Sequence, residues 1–324
     1  MRGATAASLG AASAALVVSL LVPGWWRLDG WVLVGGLIMG LPHGAMDHLV
    51  PRLRLSSPPG WWRTSLFGVV YAAVAAVAWL LFRAFPETGT CVFIALAVLH
   101  FAAGEGTFAA LRAGVASHNA LRGAVAATAA VVVTLLPVTL HWRQVQHYLV
   151  ALIPTVQVQL PEPALHLTTT TLLICAGAAA ASAAIHRLWP EALELCVLTA
   201  LAVAAPPAVS FGVYFGAWHS VRHLAVLVEE DPQNASALAS GRTRGPLARL
   251  ARDVAGPTAV AALVVVALWQ WSANGDLQHF VAADLAVLAG LTVPHAIVVW
   301  WLDHSRTHPD LGARSSPSAR VADC

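Results

Sequence analysis

Long apolar runs, separated by short polar or proline-containing stretches, occupy most of the chain. Many approach the length of about 20 residues with which an α-helix crosses the hydrocarbon core of a bilayer. Backbone polar groups cannot stay unpaired in lipid, so such runs predict helices rather than loops or open sheet edges. We therefore predict an all-α, polytopic transmembrane helical bundle of about 8–10 helices, near residues 4–23, 28–50, 64–85, 89–111, 122–140, 166–186, 190–206, 208–228, 254–272 and 281–302.

Composition supports a membrane protein. Of 324 residues, 58% are hydrophobic and only 10% are charged, against about 25% charged in ordinary soluble domains. We predict one integral membrane domain over residues 1–303 and a disordered cytoplasmic tail over residues 304–324, which is rich in Ser, Pro and Arg. The net charge of +2 is small and spread over the loops, so no nucleic-acid partner is expected.

The placement of arginine predicts the orientation of the bundle. Cytoplasmic loops of membrane proteins carry an excess of positive charge. With the N-terminus inside, fourteen of the arginines fall on the cytoplasmic side, whereas Arg27, Arg83 and Arg143 fall outside. We therefore expect a multi-pass protein of the cell (inner or plasma) membrane with both termini in the cytoplasm.

One apolar run contains three ionisable groups within five residues, His219-Ser-Val-Arg-His223. Histidines four residues apart share one helix face, offset by roughly 40°, so both imidazoles can reach a common point. A shared metal ion is the natural candidate for that point. Arg222 would cost roughly 2.5–3.5 kcal/mol at a bilayer centre, so it should face protein or water rather than lipid.

Three further histidines fall at a similar depth on other predicted helices. Counted from the cytoplasmic helix ends, His43, His100 and His295 join His219 and His223 in a layer roughly 10 Å thick. Each one alone could be a neutral imidazole hydrogen-bonded inside a bundle. As a group they predict a metal centre, and imidazoles without thiolates suit iron, copper or zinc.

Other polar and aromatic residues accompany these histidines. Asp47 lies four residues after His43, so it could orient a ligand histidine or pair with Arg222. Glu105 lies roughly 140° around the helix from His100, so its side chain should contact a neighbouring helix, and Arg222 is again a candidate partner. Both acids could instead be helix-end residues at the cytoplasmic interface. Tyr214 and Trp218 share one helical face and could line a substrate tunnel.

Four spaced motifs resemble those of the Brp/Blh family of membrane carotenoid oxygenases, which are β-carotene 15,15′-dioxygenases. The resemblance spans roughly residues 28–303 and rests on Gly40-Leu-Pro-His-Gly-Ala-Met-Asp47, His100-Phe-Ala-Ala-Gly-Glu105, Trp218-His-Ser-Val-Arg-His223 and Pro294-His295. It implies a membrane non-haem iron dioxygenase that splits β-carotene at its central double bond with O2, giving two molecules of retinal. The family is usually drawn with fewer spans than ten.

The resemblance also implies site residues and partners. It assigns His43, His100, His219 and His223 as ligands of Fe(2+), and it implies no catalytic residue beyond these ligands. His295 is placed as a second-shell or substrate-pocket residue, beside Asp47, Glu105 and Arg222. The implied substrates are β-carotene and O2, the surroundings are membrane lipid, and a retinal-binding rhodopsin is a candidate recipient of the product.

Three alternatives remain open at this point. A membrane di-iron carotenoid hydroxylase or desaturase also needs histidines near the cytoplasmic face, but about eight of them in several boxes. A haem-binding electron-transfer subunit needs two axial histidines on facing helices. A carotenoid or retinal carrier would bind its ligand without cleaving it.

Overall fold

The computed structural model describes residues 1–22, 24–54, 60–115, 119–152, 159–271 and 277–307, and this part of the chain is helical and contains no strand. The predicted all-α class is confirmed. The α-helices are α1 (Arg2–Leu21), α2 (Asp29–Gly44), α3 (Val50–Arg54), α4 (Trp61–Ala84), α5 (Pro86–Ala113), α6 (Ala120–Leu140), α7 (Trp142–Leu152), α8 (Glu162–Ile185), α9 (Trp189–Ala204), α10 (Pro207–Gly212), α11 (Val221–Glu230), α12 (Ala235–Ala239), α13 (Arg244–Trp271) and α14 (Leu277–Thr307). A π-helical segment, Val213–Ser220, joins α10 to α11.

Within the described ranges, seven helices are long and apolar enough to cross a membrane: α1, α4, α5, α6, α8, α13 and α14. The chain is a polytopic membrane protein. The three other predicted helices also form, but α2 and α9 have only 16 residues each, and the run over 208–228 is divided by the π-helical segment. The bundle thus has fewer continuous spans than the ten apolar runs predicted.

Two predicted boundaries shift. The helix predicted over 28–50 ends at Gly44 and is followed by a 3-10 turn, Asp47–Leu49. At the other end, α14 continues to Thr307, so the tail predicted from residue 304 begins inside a helix, and 308–324 lie outside the described residues. The predicted orientation of the termini stays a prediction.

The shortened helix α2 packs backbone to backbone against the π-helical segment. Gly36 faces Gly212 and Gly216 across this contact: a Cβ added at Gly216 would lie 2.8 Å from the Gly36 Cα, and one added at Gly36 would overlap the Gly212 backbone. Small residues allow such close helix approach in membrane proteins. The contact brings His43 on α2 next to the segment that carries His219.

We predict that Gly36→Ala lowers the stability of the folded protein. The added methyl group meets backbone, which cannot rotate away, and overpacking of this kind typically costs about 1–3 kcal/mol. Thermal unfolding of the purified protein in detergent measures the effect. Gly177→Ala is the matched control, because Gly177 lies in the spanning helix α8 and an added Cβ there meets nothing within 4 Å. Equal melting temperatures for the two variants would contradict the proposed contact.

Candidate metal centre and its cavity

Five buried imidazoles form one cluster, and they come from α2, α5, the π-helical segment, α11 and α14. The ring centroid of His43 lies 5.5 Å from that of His219 and 5.9 Å from that of His223. His100 lies 4.9 Å from His219. The fifth ring, His295, lies 4.7 Å from His100 and 5.0 Å from His43. The histidines that the sequence placed at one depth are therefore in contact, although they come from separate parts of the chain.

The HxxxH pair, His219 and His223, begins within the π-helical segment, since His219 belongs to that segment and His223 to α11. The rings of His219 and His223 stack with their centroids 6.2 Å apart and their planes 18° from parallel. Ser220 Oγ donates to the carbonyl of Phe215, five residues earlier, at 2.6 Å. The sequence argument assumed a regular α-helix here, and that assumption is wrong for residues 213–220. Single π-helical turns are frequent at functional sites.

Two of the ring nitrogens already have the spacing of neighbouring metal ligands. The Nε2 atoms of His100 and His219 are 3.0 Å apart, which is the separation of two nitrogens at right angles on an ion with bonds of about 2.1 Å. Among the described residues, no three His, Cys, Asp or Glu side chains yet converge on a single ion. Binding a metal therefore requires the other rings to turn about their side-chain torsions.

Hydrogen bonds fix the orientation of His43 from the side away from the cluster. Its Nδ1 contacts the carbonyl of Gly40 and lies 3.0 Å from Ser220 Oγ. Since the Ser220 hydroxyl donates to Phe215, the Nδ1 of His43 is the donor in both contacts. This tautomer leaves the Nε2 lone pair of His43 available to a cation.

An aspartate holds His295 in the same manner. The Nδ1 of His295 lies 2.9 Å from both carboxylate oxygens of Asp47, and Tyr71 Oη donates to Asp47 Oδ2 at 2.7 Å. The Nε2 of His295 is buried and has no hydrogen-bond partner in the described part of the chain. Carboxylate–histidine pairs of this kind orient metal ligands and raise their basicity.

These contacts choose between the roles expected of Asp47 and His295. Asp47 does not pair with Arg222: of the two expected roles it has the first, orienting a histidine, and that histidine is His295. The ring of His295 lies in the imidazole cluster and on the cavity wall, which agrees with the prediction of a pocket residue. The sequence did not point to Tyr71. It is the one tyrosine of the apolar helix α4, and no spacing pattern links it to the histidines.

Arg222 is buried between two carboxylates from different helices. It donates to Glu105 Oε2 at 2.8 Å and to the Glu194 carboxylate at 2.7 and 3.1 Å, while its Nε donates to Ser8 Oγ at 3.1 Å. The predicted pairing with Glu105 is confirmed. Glu194 was missed, because the acids of α9 fall near the start of a short apolar run and resemble helix-end residues.

Tyr214 and Trp218 do not line the cavity, contrary to the sequence expectation. Trp218 is fully buried, donates to Glu105 Oε1 at 3.0 Å, and lies under the Arg222 guanidinium at 3.9 Å. Tyr214 packs edge-on against Phe101 with ring centroids 5.0 Å apart. Both rings support the segment that carries the HxxxH pair.

A largely apolar cavity of about 660 Å³ adjoins the cluster, bounded mainly by α2, α4, α5, α13 and α14. Its volume falls within the range of about 300–1,000 Å³ that is usual for small-molecule sites. Three of the five histidines and Asp47 lie on its wall. Most of the remaining lining is aliphatic or aromatic, including Phe93, Ile94, Phe101, Phe211, Phe215, Val260, Val264 and Leu291.

Comparison with known proteins places the chain in a family. The model of the β-carotene 15,15′-dioxygenase family matches residues 34–303, a range that begins before His43 and ends after His295. The chain belongs to this family. It is 28% identical to the probable β-carotene 15,15′-dioxygenase Blh of Halobacterium salinarum over 84% of this chain and 83% of that protein. It is 23% identical to a β-carotene 15,15′-dioxygenase from an uncultured marine bacterium, over 85% of this chain and 94% of that protein.

No solved structure matches the chain. The range 34–303 that the family model matches includes the whole imidazole cluster together with Asp47, Glu105 and Glu194.

We predict that Arg222→Met strongly destabilises the protein. Methionine keeps much of the volume but leaves Glu105 and Glu194 buried without their cation, a change that typically costs about 3–5 kcal/mol. Thermal or denaturant unfolding in detergent measures the loss.

Arg143→Met is the matched control for this change. The ion pair of Arg143 with Glu162 is 3.9 Å long, with side chains 93% and 78% exposed, so its loss should cost about 0–1 kcal/mol. If both variants unfold at the wild-type temperature, the buried ion pairs do not hold the bundle together.

Proposed function

We propose that the protein is a membrane non-haem iron dioxygenase that cleaves β-carotene at its central 15,15′ double bond. One C=C bond breaks and each of its carbons gains one oxygen atom of O2, which gives two molecules of retinal and requires no external reductant. The observation that carries this proposal is the position of a buried imidazole cluster on the wall of an apolar cavity. Family membership supports the same reaction.

The proposed ligands of Fe(2+) are His43, His100, His219 and His223, and His295 offers a fifth nitrogen. The donor set fits ferrous iron, since neutral imidazoles leave the ion its full positive charge. When bound, iron would supply the capacity to bind and activate O2. The unpartnered, buried Nε2 of His295 is the observation that most favours a cation at this point.

The chain's own residues then bind the substrate, position the ligands and exclude water. The aromatic and aliphatic cavity wall suits a hydrocarbon polyene and offers few groups that could hold water. Asp47 and Ser220 fix the rings of His295 and His43. The ion pairs of Arg222 with Glu105 and Glu194 fix the rotation of the helix about its axis, and thereby the direction in which His219 and His223 point.

A site inside the bundle suits a substrate that dissolves in lipid. β-Carotene is an apolar rod about as long as the hydrocarbon core is thick, about 30 Å, so it reaches the cavity without entering water. We further propose the cell membrane as the location, with both termini in the cytoplasm, as the arginine distribution predicts. Transfer of retinal to a retinal-binding rhodopsin is a separate hypothesis.

The geometry favours this function over the alternatives. A di-iron hydroxylase or desaturase needs about eight histidines around two ions, whereas five imidazoles meet here in one group. A haem protein needs two opposed histidines with space for a macrocycle between them, whereas the Nε2 atoms of His100 and His219 are only 3.0 Å apart.

Expression in cells that accumulate β-carotene tests the reaction directly. We expect loss of colour and the appearance of retinal by chromatography, both of which His219→Ala should abolish. His186→Ala serves as control, since His186 is exposed at the end of α8 and should leave turnover unchanged. Absence of retinal, with wild-type protein present in the membrane, would show that the proposed reaction is wrong.

Metal analysis of the same purified proteins tests the ligand assignment. Wild type and His186→Ala should contain iron, whereas His219→Ala and His223→Ala should contain little. An optical spectrum without a Soret band is expected of the wild type, because haem gives this band and non-haem Fe(II) does not. Full iron content in His219→Ala would refute the assignment of this ligand, even if turnover falls.

Asp47→Asn should weaken metal binding without unfolding the protein. The amide retains the size of the side chain but holds the His295 ring less firmly, and loss of such an orienting carboxylate typically lowers metal affinity about 10–100-fold. Titration of the metal-free protein with Co(2+), followed by its d–d absorption, measures the change. Glu162→Gln, at a side chain 78% exposed, is the control, and equal affinities for both variants would contradict a role for Asp47.

A further inference from the structure

The first helix, α1, lies before the range 34–303 that the family model matches. It nevertheless packs against the π-helical segment, α9 and α11, which carry the HxxxH pair, Arg222 and one of its carboxylates. Of the 20 residues of α1, all of them described, two are buried, Ser8 and Ala12, and both are 0% exposed. They are four positions apart and share one helix face. The bundle therefore buries a narrow strip of α1, and this strip faces the helices that hold Arg222.

The Ser8 hydroxyl accepts a hydrogen bond from the inner nitrogen of the Arg222 guanidinium. The Nε atom of Arg222 carries a single hydrogen and donates it to Ser8 Oγ at 3.1 Å. The hydroxyl hydrogen goes to the Thr5 carbonyl of the same helix at 3.2 Å, so the oxygen lone pairs remain for Arg222. Glu105 and Glu194 accept from the terminal nitrogens Nη1 and Nη2. Ser8 therefore holds the nitrogen that these two carboxylates do not.

This third contact restrains the part of Arg222 that is nearest the backbone. A planar guanidinium held at its terminal nitrogens can still swing about them, and a contact at Nε opposes that motion. Nε is the nitrogen bonded to the side-chain stem, so its position is coupled to that of the helix that carries His219 and His223. Hydrogen bonds with a charged partner are also stronger than those between neutral groups.

We propose that Ser8 is a positioning residue of the metal centre and that it acts through Arg222. By holding Nε it keeps the helix in the rotation at which the imidazoles of His219 and His223 face the cluster. α1 is then a part of the site as well as a membrane span. No residue of α1 lines the cavity, so its contribution is to the geometry of the ligands and not to substrate binding. This inference rests on the ligand assignment proposed above.

Titration of the metal-free full chain in detergent with Co(2+), followed by d–d absorption, tests this role. Ser8→Ala keeps a small side chain and removes the acceptor, so we expect the Kd for Co(2+) to rise about tenfold, the lower end of the loss typical of residues that orient metal ligands. Ser19→Ala is the matched control, because Ser19 lies on the same helix and its hydroxyl donates to the Ala15 carbonyl of that helix. Its Kd should equal that of the wild type. In turnover, Ser8→Ala should lower kcat and leave the KM for β-carotene unchanged.

A double-mutant cycle with Arg222→Lys separates the hydrogen bond from the packing of α1. Lysine keeps a positive charge between the two glutamates but has no guanidinium nitrogen to donate to Ser8. If Ser8 acts through that nitrogen, adding Ser8→Ala to Arg222→Lys should change the Kd for Co(2+) less than about twofold, because the two changes remove the same contact. An equal effect of Ser8→Ala in both backgrounds would show that Ser8 acts by its size alone, and would overturn the inference. If Arg222→Lys does not accumulate in the membrane, the comparison of Ser8→Ala with Ser19→Ala decides.

The results distinguish this inference from the reaction itself. If the wild type binds Co(2+) and cleaves β-carotene but Ser8→Ala has the wild-type Kd, the positioning role is wrong and the proposed function stands. If the wild type binds no Co(2+), the ligand assignment fails. The same cycle, measured by melting temperature, then decides whether Ser8 positions Arg222: additive effects of the two substitutions overturn this role, and non-additive effects support it.

Discussion

The buried guanidinium of Arg222 constrains the entire imidazole cluster. A cation in a bundle without water must have carboxylates around it, and these come from Glu105 on α5 and Glu194 on α9. Because Arg222 lies between His219 and His223 in sequence, the side of the helix that satisfies its charge also determines where both imidazoles point. Trp218, which lies beneath the guanidinium, is on the π-helical segment and also donates to Glu105. Glu105 is therefore held by both Arg222 and Trp218.

Much of this site follows from the sequence, because unusual residues in apolar runs are informative. An arginine inside a membrane helix requires a partner, and Glu105 was a foreseeable one. The common depth of the histidines followed from counting along helices of known rise. Glu194 was harder to foresee, since its position near the start of a short helix is also typical of an acid at the membrane interface.

The features that the sequence did not reveal depend on contacts between distant segments. Apolar residues flank Asp47 and His48 on both sides, so hydropathy alone does not mark the end of α2 at Gly44. The π-helical turn requires the Ser220 hydroxyl to reach the Phe215 carbonyl while it also contacts His43, a combination visible only once α2 is in place. The pairing of Asp47 with His295 joins residues 248 positions apart, and no local pattern indicates it.

The cavity wall formed by α13 bears on whether a ligand enters the cavity from lipid or from water. Val260 and Val264 line the cavity, and they are 63% and 45% exposed on a spanning helix that is mostly exposed. At α13 the cavity wall is therefore a single exposed helix, and the function proposed above implies that the ligand enters from the lipid. For a ligand that partitions into the bilayer, occupancy of the cavity then depends on the mole fraction of ligand among the lipids. Adding lipid at a constant amount of ligand lowers this mole fraction, and with it the occupancy, although the total ligand concentration of the sample is unchanged.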